Sequence, residues 1–288
     1  MAISEERVKW TRSNLKGGAT VEETRRALEE QGFAAKDVKY ALKKAASKAD
    51  YKNSLKPTAA QSGLQGNNVY VDYQALAEPK LVREASGDKV TIVSEDKLQL
   101  YAIRNFLNAR QCEQLIDAIK GDAHPSKIDS YDQQSAMRSS STCSLRVHEH
   151  PFVAGVNTAI ANAIGLSNSW AEVTQGQWYE PGQQYKPHPD YFVPGTPEYE
   201  RFVKTGGQRT WTFMIYLNQP EAGGGTHFLN VNKTILPETG TAICWNNLLR
   251  NGDPNPNTVH AGLPVEAGSK FIITKWFRDQ GTGQPFTT

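Results

Sequence analysis

No apolar run in this sequence approaches the roughly 18 to 20 residues that a membrane helix needs. The opening residues, MAISEERVKW, are charged where an export signal would be apolar. A membrane span is therefore not expected, and the protein is expected to be soluble and to stay where it is made, in the cytoplasm. Cysteine is scarce: Cys112, Cys143 and Cys244 are odd in number, far apart and form no CxxC pair. That argues against a disulfide scaffold or a zinc site and suits a reducing compartment, with each thiol read as a small buried apolar group. Internal repeats and long low-complexity tracts are absent too. Charge of one sign is lacking, since 32 Lys+Arg stand against 30 Asp+Glu for a net charge of +2. A nucleic-acid binder is disfavoured on that balance.

What remains is a chain of 288 residues, 38% hydrophobic, long enough for one large domain plus a small appendage. The charge is unevenly spread: residues 1–57 hold 13 Lys+Arg against 8 Asp+Glu, and the rest 19 against 22. Residues 1–48 read as a module of three short helices. Ser4 can cap the first, Val8 and Leu15 share a face, and Gly17-Gly18 ends it. Thr20 with Glu23 is a capping-box pattern for the second, whose Val21, Leu28 and Phe33 turn inward and which Gly32 breaks. The third carries Val38, Ala41, Leu42 and Ala45 on one side and Lys39, Lys43 and Lys44 elsewhere. Such a module can serve dimerisation or partner binding. Residues 49–68 lack periodicity and read as a linker.

From residue 69 to 288 the texture changes. Strand-like runs (KLQLYAI, TWTFMIYL, TAICWNNL, KFIITKWF) are separated by Gly-, Pro- and Asn-rich turns, and helical patterns appear only near 109–120 and 151–165. This predicts a mainly β domain, an antiparallel barrel or jelly roll with flanking α-helices. GTGQPFTT reads as a loose tail.

The chemistry concentrates in YEPGQQYKPHPDYF. His188 and Asp190 are two apart, so on a strand both point to one face and can share a metal. Pro189 between them suits a strand end better than a central strand. A set of two histidines and one carboxylate is the iron(II) arrangement that leaves coordination positions open. Only His227 and His260 follow Asp190, and His260 is followed by a turn and a strand that brings Lys270 back toward the site. If 2-oxoglutarate chelates the metal, its far carboxylate needs a charge-assisted partner, and Lys270 can supply it.

With these residues in view, the segment from Glu172 to Trp276 resembles the catalytic domain of prolyl 4-hydroxylases of the collagen and algal cell-wall type. The resemblance rests on ExxQxxxYxxGQxYxxHxD, then GGQR, GGGTHF and HAGxPVxxGxKxxxTKW, in that order. It implies a double-stranded β-helix over 69–288. It also implies an oxygenase with iron(II), 2-oxoglutarate and O₂ at His188, Asp190 and His260, with ascorbate as a candidate reductant. The implied reaction hydroxylates a prolyl residue of a peptide or protein while 2-oxoglutarate is decarboxylated to succinate. By the same resemblance Tyr179, Thr226 and Trp276 join Lys270 at the co-substrate, and Glu172, Tyr185, Arg209, Arg138 and Ser140 shape the peptide groove.

Two departures bear on peptide preference: Gly225 stands where the family usually has Glu, and Arg278 where many relatives carry His. The rival readings are the same chemistry on a free amino acid or other small molecule, demethylation of nucleic acid, and a binding protein of this fold without turnover.

Overall fold

The computed structural model describes residues 8, 9, 11, 12, 24, 28, 35–45, 71–83, 90–94, 97–126 and 138–287. The chain divides into two compact units, Met1–Ser62 and Gly63–Thr288. In the first, the helix Ala35–Ala45 forms where its pattern predicts. Val38, Ala41 and Leu42 are buried with Leu28, and Val8 packs against them, while Lys39, Lys43 and Lys44 are exposed. The expected caps at Ser4 and Thr20, the breaks at Gly17-Gly18 and Gly32, and the linker 49–68 lie outside the described residues.

The second unit is built on an eight-stranded sheet in the order β1-β2-β11-β7-β14-β5-β4-β3. Its strands are β1 (Val90–Ser94), β2 (Leu100–Ile103), β3 (His124–Pro125), β4 (Ser141–Ser144), β5 (Gln175–Tyr179), β7 (Arg209–Tyr216), β11 (Ala242–Asn246) and β14 (Lys270–Arg278). A four-stranded sheet, β10-β9-β12-β6, uses β6 (Tyr185–His188), β9 (Thr226–Phe228), β10 (Lys233–Ile235) and β12 (His260–Gly262). Strands β8 (Ala222–Gly223) and β13 (Val265–Ala267) pair separately. Every pairing is antiparallel. The two larger sheets enclose a core, the double-stranded β-helix expected from the sequence.

Alternation along β7 divides the large sheet into two environments. Trp211, Phe213 and Ile215 face outward into a cluster with Cys112, Leu115, Ile119, Val156 and Ile160 of two covering helices. Met214 and Tyr216 face inward with Phe228, Ile243, Trp245 and Ile272. The covering helices have local causes. Ala109–Asp122 starts at a capping box between Asn108 and Gln111 and buries the stripe Cys112, Leu115, Ile119. Val153–Ile164 ends at Gly165, whose φ of 85° and whose packing against Lys80 leave no room for a Cβ.

Two features differ from the sequence expectations. The segment GTGQPFTT is held rather than loose. Ser167 N–H donates to Pro285 O, Thr287 N–H to Gly165 O, and Phe286 packs against the outer cluster. An additional helix, Pro197–Gly206, follows the HxD segment. Thr196 caps it by accepting from Tyr199 N–H at 3.2 Å, Pro197 opens it, and Glu198 and Glu200 sit in its first turn. These are ordinary helix-start signals, hidden by the surrounding glycines, prolines and aromatics.

Candidate active site

Strands β12 and β6 pair so that His260 stands directly opposite His188. Directly paired residues share a face, and this places the two imidazoles on the inner side of the small sheet with ring centroids 4.5 Å apart. The same register shows why His227 is not the second histidine. It pairs with Ala261 on the opposite face, and its Nδ1 meets Thr234 Oγ1 at 2.8 Å. Strand β6 ends at His188, so Asp190 belongs to the bend that follows rather than to the strand, and its Oδ1 lies 3.8 Å from His188 Nε2. Candidate ligand atoms of His188, Asp190 and His260 all fall within 4.8 Å of one another, the one such cluster of at least three His, Cys, Asp or Glu among the described residues.

Hydrogen bonds prepare these groups as ligands. His188 Nδ1 donates to Lys186 O at 2.7 Å and His260 Nδ1 to Thr258 O at 2.9 Å. With Nδ1 as the protonated nitrogen, each ring presents the lone pair of Nε2. Burial and the neighbouring His260 push His188 down to about 3, so its imidazole is neutral. Burial alone would raise the Asp190 carboxyl, but His260, His188 and Arg209 outweigh it and hold it below its ordinary value. Two imidazoles that each present Nε2, with one carboxylate, fit the donor set that iron(II) takes with positions left open.

Across the cavity, the inner face of the large sheet carries the other groups. Lys270 and Tyr179 are direct partners on β14 and β5. Lys270 is 2% exposed, its Nζ lies 5.4 Å and 5.5 Å from the Tyr179 and Tyr216 ring centres, and burial lowers its pKa to about 7. Among the described residues no carboxylate lies within ion-pair distance of it. Gly224 (φ 72°) passes close to the lysine stem, where an added Cβ would sit 3.2 Å from Lys270 Cδ. Tyr179 OH donates to Gln177 Oε1 at 2.8 Å, and Thr226 Oγ1 accepts from Tyr216 OH at 2.7 Å. A cavity of about 340 Å³ is lined by His188, Asp190, His260, Lys270, Tyr179, Thr226 and Trp276, and also by Arg138, Tyr185 and Arg209.

Glu172 and Ser140 do not line the cavity. Glu172 grips Arg209 through both oxygens, at 2.7 and 2.8 Å, and also receives Arg278 at 2.7 Å. Arg209 in turn lies 4.0 Å from the Trp276 ring centre and donates to Asp190 O at 3.3 Å. Ser140 accepts from Arg138 Nε at 2.7 Å, and Arg138 lies over the Tyr185 ring, which itself stacks on His188 at 3.5 Å. Both residues therefore bear on the cavity through an arginine.

The departures from the family pattern also find places. Arg278 is tied to Glu172, Gly206 O and Phe202 O, anchoring the end of the helix Pro197–Gly206. A Cβ on Gly225 would face Thr234, Ile235 and Leu263, none of which lines the cavity. Residues that sequence reasoning passed over include Gln177, Thr212 and Thr274, polar positions inside apolar strand runs, and Phe202 and Glu198 of the unexpected helix. Polar residues alternating with core positions were the available signal.

Comparison with known proteins agrees with this geometry. Residues 174–278 match the family model of the 2OG-Fe(II) oxygenase superfamily. The prolyl 4-hydroxylase subunit alpha-1 of Gallus gallus is 32% identical over 198 residues, 66% of this chain and 38% of that protein. The alpha-2 subunit of the same organism is 36% identical over 147 residues, 51% of this chain and 27% of that protein. This chain thus spans well under half the length of these curated relatives. A solved structure, the viral collagen prolyl hydroxylase of Paramecium Bursaria Chlorella virus-1 in complex with 2OG, is 28% identical with a TM-score of 0.48, covering 62% of this chain and 94% of that one.

The matched stretch holds His188, Asp190, His260 and Lys270, so over residues 174–278 the chain is similar to the 2OG-Fe(II) oxygenase superfamily. Among curated proteins it is similar to prolyl 4-hydroxylase alpha subunits. Among the described residues no helix is long and apolar enough to cross a membrane.

Proposed function

We propose that this protein hydroxylates a prolyl residue in a peptide or protein, with His188, Asp190 and His260 as iron(II) ligands and Lys270 as the anchor of the far carboxylate of 2-oxoglutarate. The observation that carries the reading is Lys270: a buried ammonium without a carboxylate partner among the described residues faces the same cavity as the His/Asp/His set. A buried cation left unpaired is costly, and an anionic ligand that arrives there gains a charge-assisted bond while relieving that cost. When bound, iron(II) with 2-oxoglutarate and O₂ supplies the oxidising power to hydroxylate an unactivated carbon, yielding succinate and CO₂.

The chain's own residues bind, orient and exclude water. Tyr179 and Thr226 flank Lys270 and hold the co-substrate, and Trp276 closes its pocket. Arg138, Tyr185 and Arg209 form the substrate side, with Ser140 and Glu172 fixing the two arginines. Aromatic and guanidinium surfaces of this kind suit the extended conformation of Pro-containing segments. The free thiols Cys112, Cys143 and Cys244, all raised by burial, support action in a reducing compartment, with the cytoplasm the expected one. The basic N-terminal residues would serve dimerisation or docking of a protein substrate.

The test begins without oxygen. Iron(II) and 2-oxoglutarate added to the purified protein should give the visible absorption of their chelate, lost in His188→Ala and Asp190→Ala. Admission of O₂ with Pro-rich peptides should add the mass of one oxygen atom to a prolyl residue. Chelation without peptide oxidation would move the substrate to a small molecule, and absence of the chelate would overturn the metal assignment.

A further inference from the structure

We propose that Thr212 and Asn247 are positioning residues that hold Asp190 as a one-oxygen metal ligand, and that Trp245 ties this hold to His260. The inference rests on the iron reading above; Thr212 and Asn247 do not line the cavity, whereas Trp245 does. Thr212 Oγ1 donates to Asp190 Oδ2 at 2.7 Å, Asn247 Nδ2 donates to Thr212 Oγ1 at 2.8 Å, and Trp245 Nε1 donates to Asn247 Oδ1 at 3.0 Å.

The direction of each bond follows from the one before it. An indole N–H can only donate, so Asn247 must turn its oxygen to Trp245 and its amide hydrogens to Thr212. Thr212 then accepts from the amide, and its single hydroxyl proton is directed to Asp190. The relay is dry: Thr212 and Asn247 are fully buried and Trp245 is 1% exposed, so solvent does not compete for these bonds. It is also fixed by the sheet, because Trp245 and Thr212 are direct partners across β11 and β7.

The consequence lies at the carboxylate. Oδ2 is occupied by the threonine, and Oδ1 is the oxygen that faces His188 Nε2 at 3.8 Å. A carboxylate held in this way offers one oxygen to a metal. Released from Thr212, it could rotate and offer both, closing a position that the co-substrate or O₂ requires. The same indole that starts the relay packs its ring edge-on against His260, with centroids 4.8 Å apart and planes at 67°. A single buried tryptophan thus orients two of the three ligands, one by contact and one through three hydrogen bonds.

The test uses the whole 288-residue chain, stripped of metal and titrated anaerobically with Co(II), read by tryptophan fluorescence and by the visible bands that report cobalt coordination. Thr212→Val, which keeps the shape and removes the hydroxyl, is expected to weaken Co(II) binding by about 10- to 100-fold and to alter the cobalt spectrum. Thr212→Ser restores the donor and should recover both. Trp245→Phe retains the ring against His260 but frees Asn247 to flip, and should shift the spectrum with a smaller loss of affinity.

Melting of each metal-free variant separates a fold defect from a ligand defect, because a purely structural role predicts lower melting with unchanged cobalt spectra. Wild-type binding and spectrum in Thr212→Val, or failure of Thr212→Ser to recover them, would overturn the proposal while leaving the iron reading intact. A wild-type chain that binds no Co(II) would overturn both.

Discussion

Strand β14 buries a lysine on each side of the large sheet, and the two are treated differently. Lys275, on the outer side, is 3% exposed and donates to Glu172 O at 3.1 Å, with Thr174 Oγ1 at 3.5 Å. Burial lowers it to about 8 while Glu172 opposes the shift. Lys270, on the inner side, is as deeply buried, has two tyrosine rings beside it, and falls to about 7 with no charged group opposing the shift. One lysine is satisfied by the fold, while the other has no carboxylate partner among the described residues. The two faces of the sheet divide in the same way: the outer face supplies stability under its helices, and the inner face carries polar side chains aimed into a cavity.

The largest effect that could break this comparison is on the outer face. Trp211→Ala should cost about 3–5 kcal/mol in denaturant unfolding, since the ring is fully buried under the covering helices. A small loss there would mean that the outer cluster is not the main source of stability. On the inner face, Lys270→Met should leave metal-free stability unchanged or higher. It should raise the KM for 2-oxoglutarate by about 10- to 150-fold, the value of a hydrogen bond to a charged group, and leave the peptide KM in place.

A pH series sharpens the contrast next. Free Lys270 loses its proton above about 7, whereas an unfolded lysine keeps it to about 10.5. The unfolded chain therefore binds more protons in that window, and metal-free stability should rise from pH 7 toward 10.5 through this group. Affinity for 2-oxoglutarate should run the other way, falling roughly tenfold per pH unit above 7 because the anion must recruit a proton. Replacement by arginine should flatten that slope. The smallest effect belongs to Lys275→Met, about 1 kcal/mol of stability with no change in the KM for 2-oxoglutarate. A changed KM there would erase the distinction between the two lysines.

Much of the site was legible because its residues obey strand alternation or chemical necessity. The HxD spacing, the second histidine and the lysine ten positions beyond it each answer a requirement that spacing can express. The strand itself stops at His188, however, so Asp190 reaches the site from a bend and not by alternation. Glu172 and Ser140 were harder to read, because their partners Arg209 and Arg138 are assigned by tertiary packing. Thr212 and Asn247 were hidden for a related reason, as a threonine in TWTFMIYL reads as an ordinary strand former until β11 is laid beside it. The helix Pro197–Gly206 carried local signals in Thr196 and Pro197 that were outweighed by the turn-rich composition around them.

The carboxylate of Glu172 serves two arginines at once, Arg209 from β7 and Arg278 from the end of β14, and Arg278 also fastens the last turn of the helix beside the cavity mouth. Among descendants of a common ancestor, such an arrangement constrains drift: a change at 172 strands two cations, whereas a shorter or neutral side chain at 278 frees only the helix. Substitution at 278 should thus be tolerated first and accompanied by compensating changes near 202–206, with 172 and 209 exchanged only as a pair. The mouth of the cavity can in this way diversify between lineages while the wall carrying His188, Asp190 and His260 stays fixed.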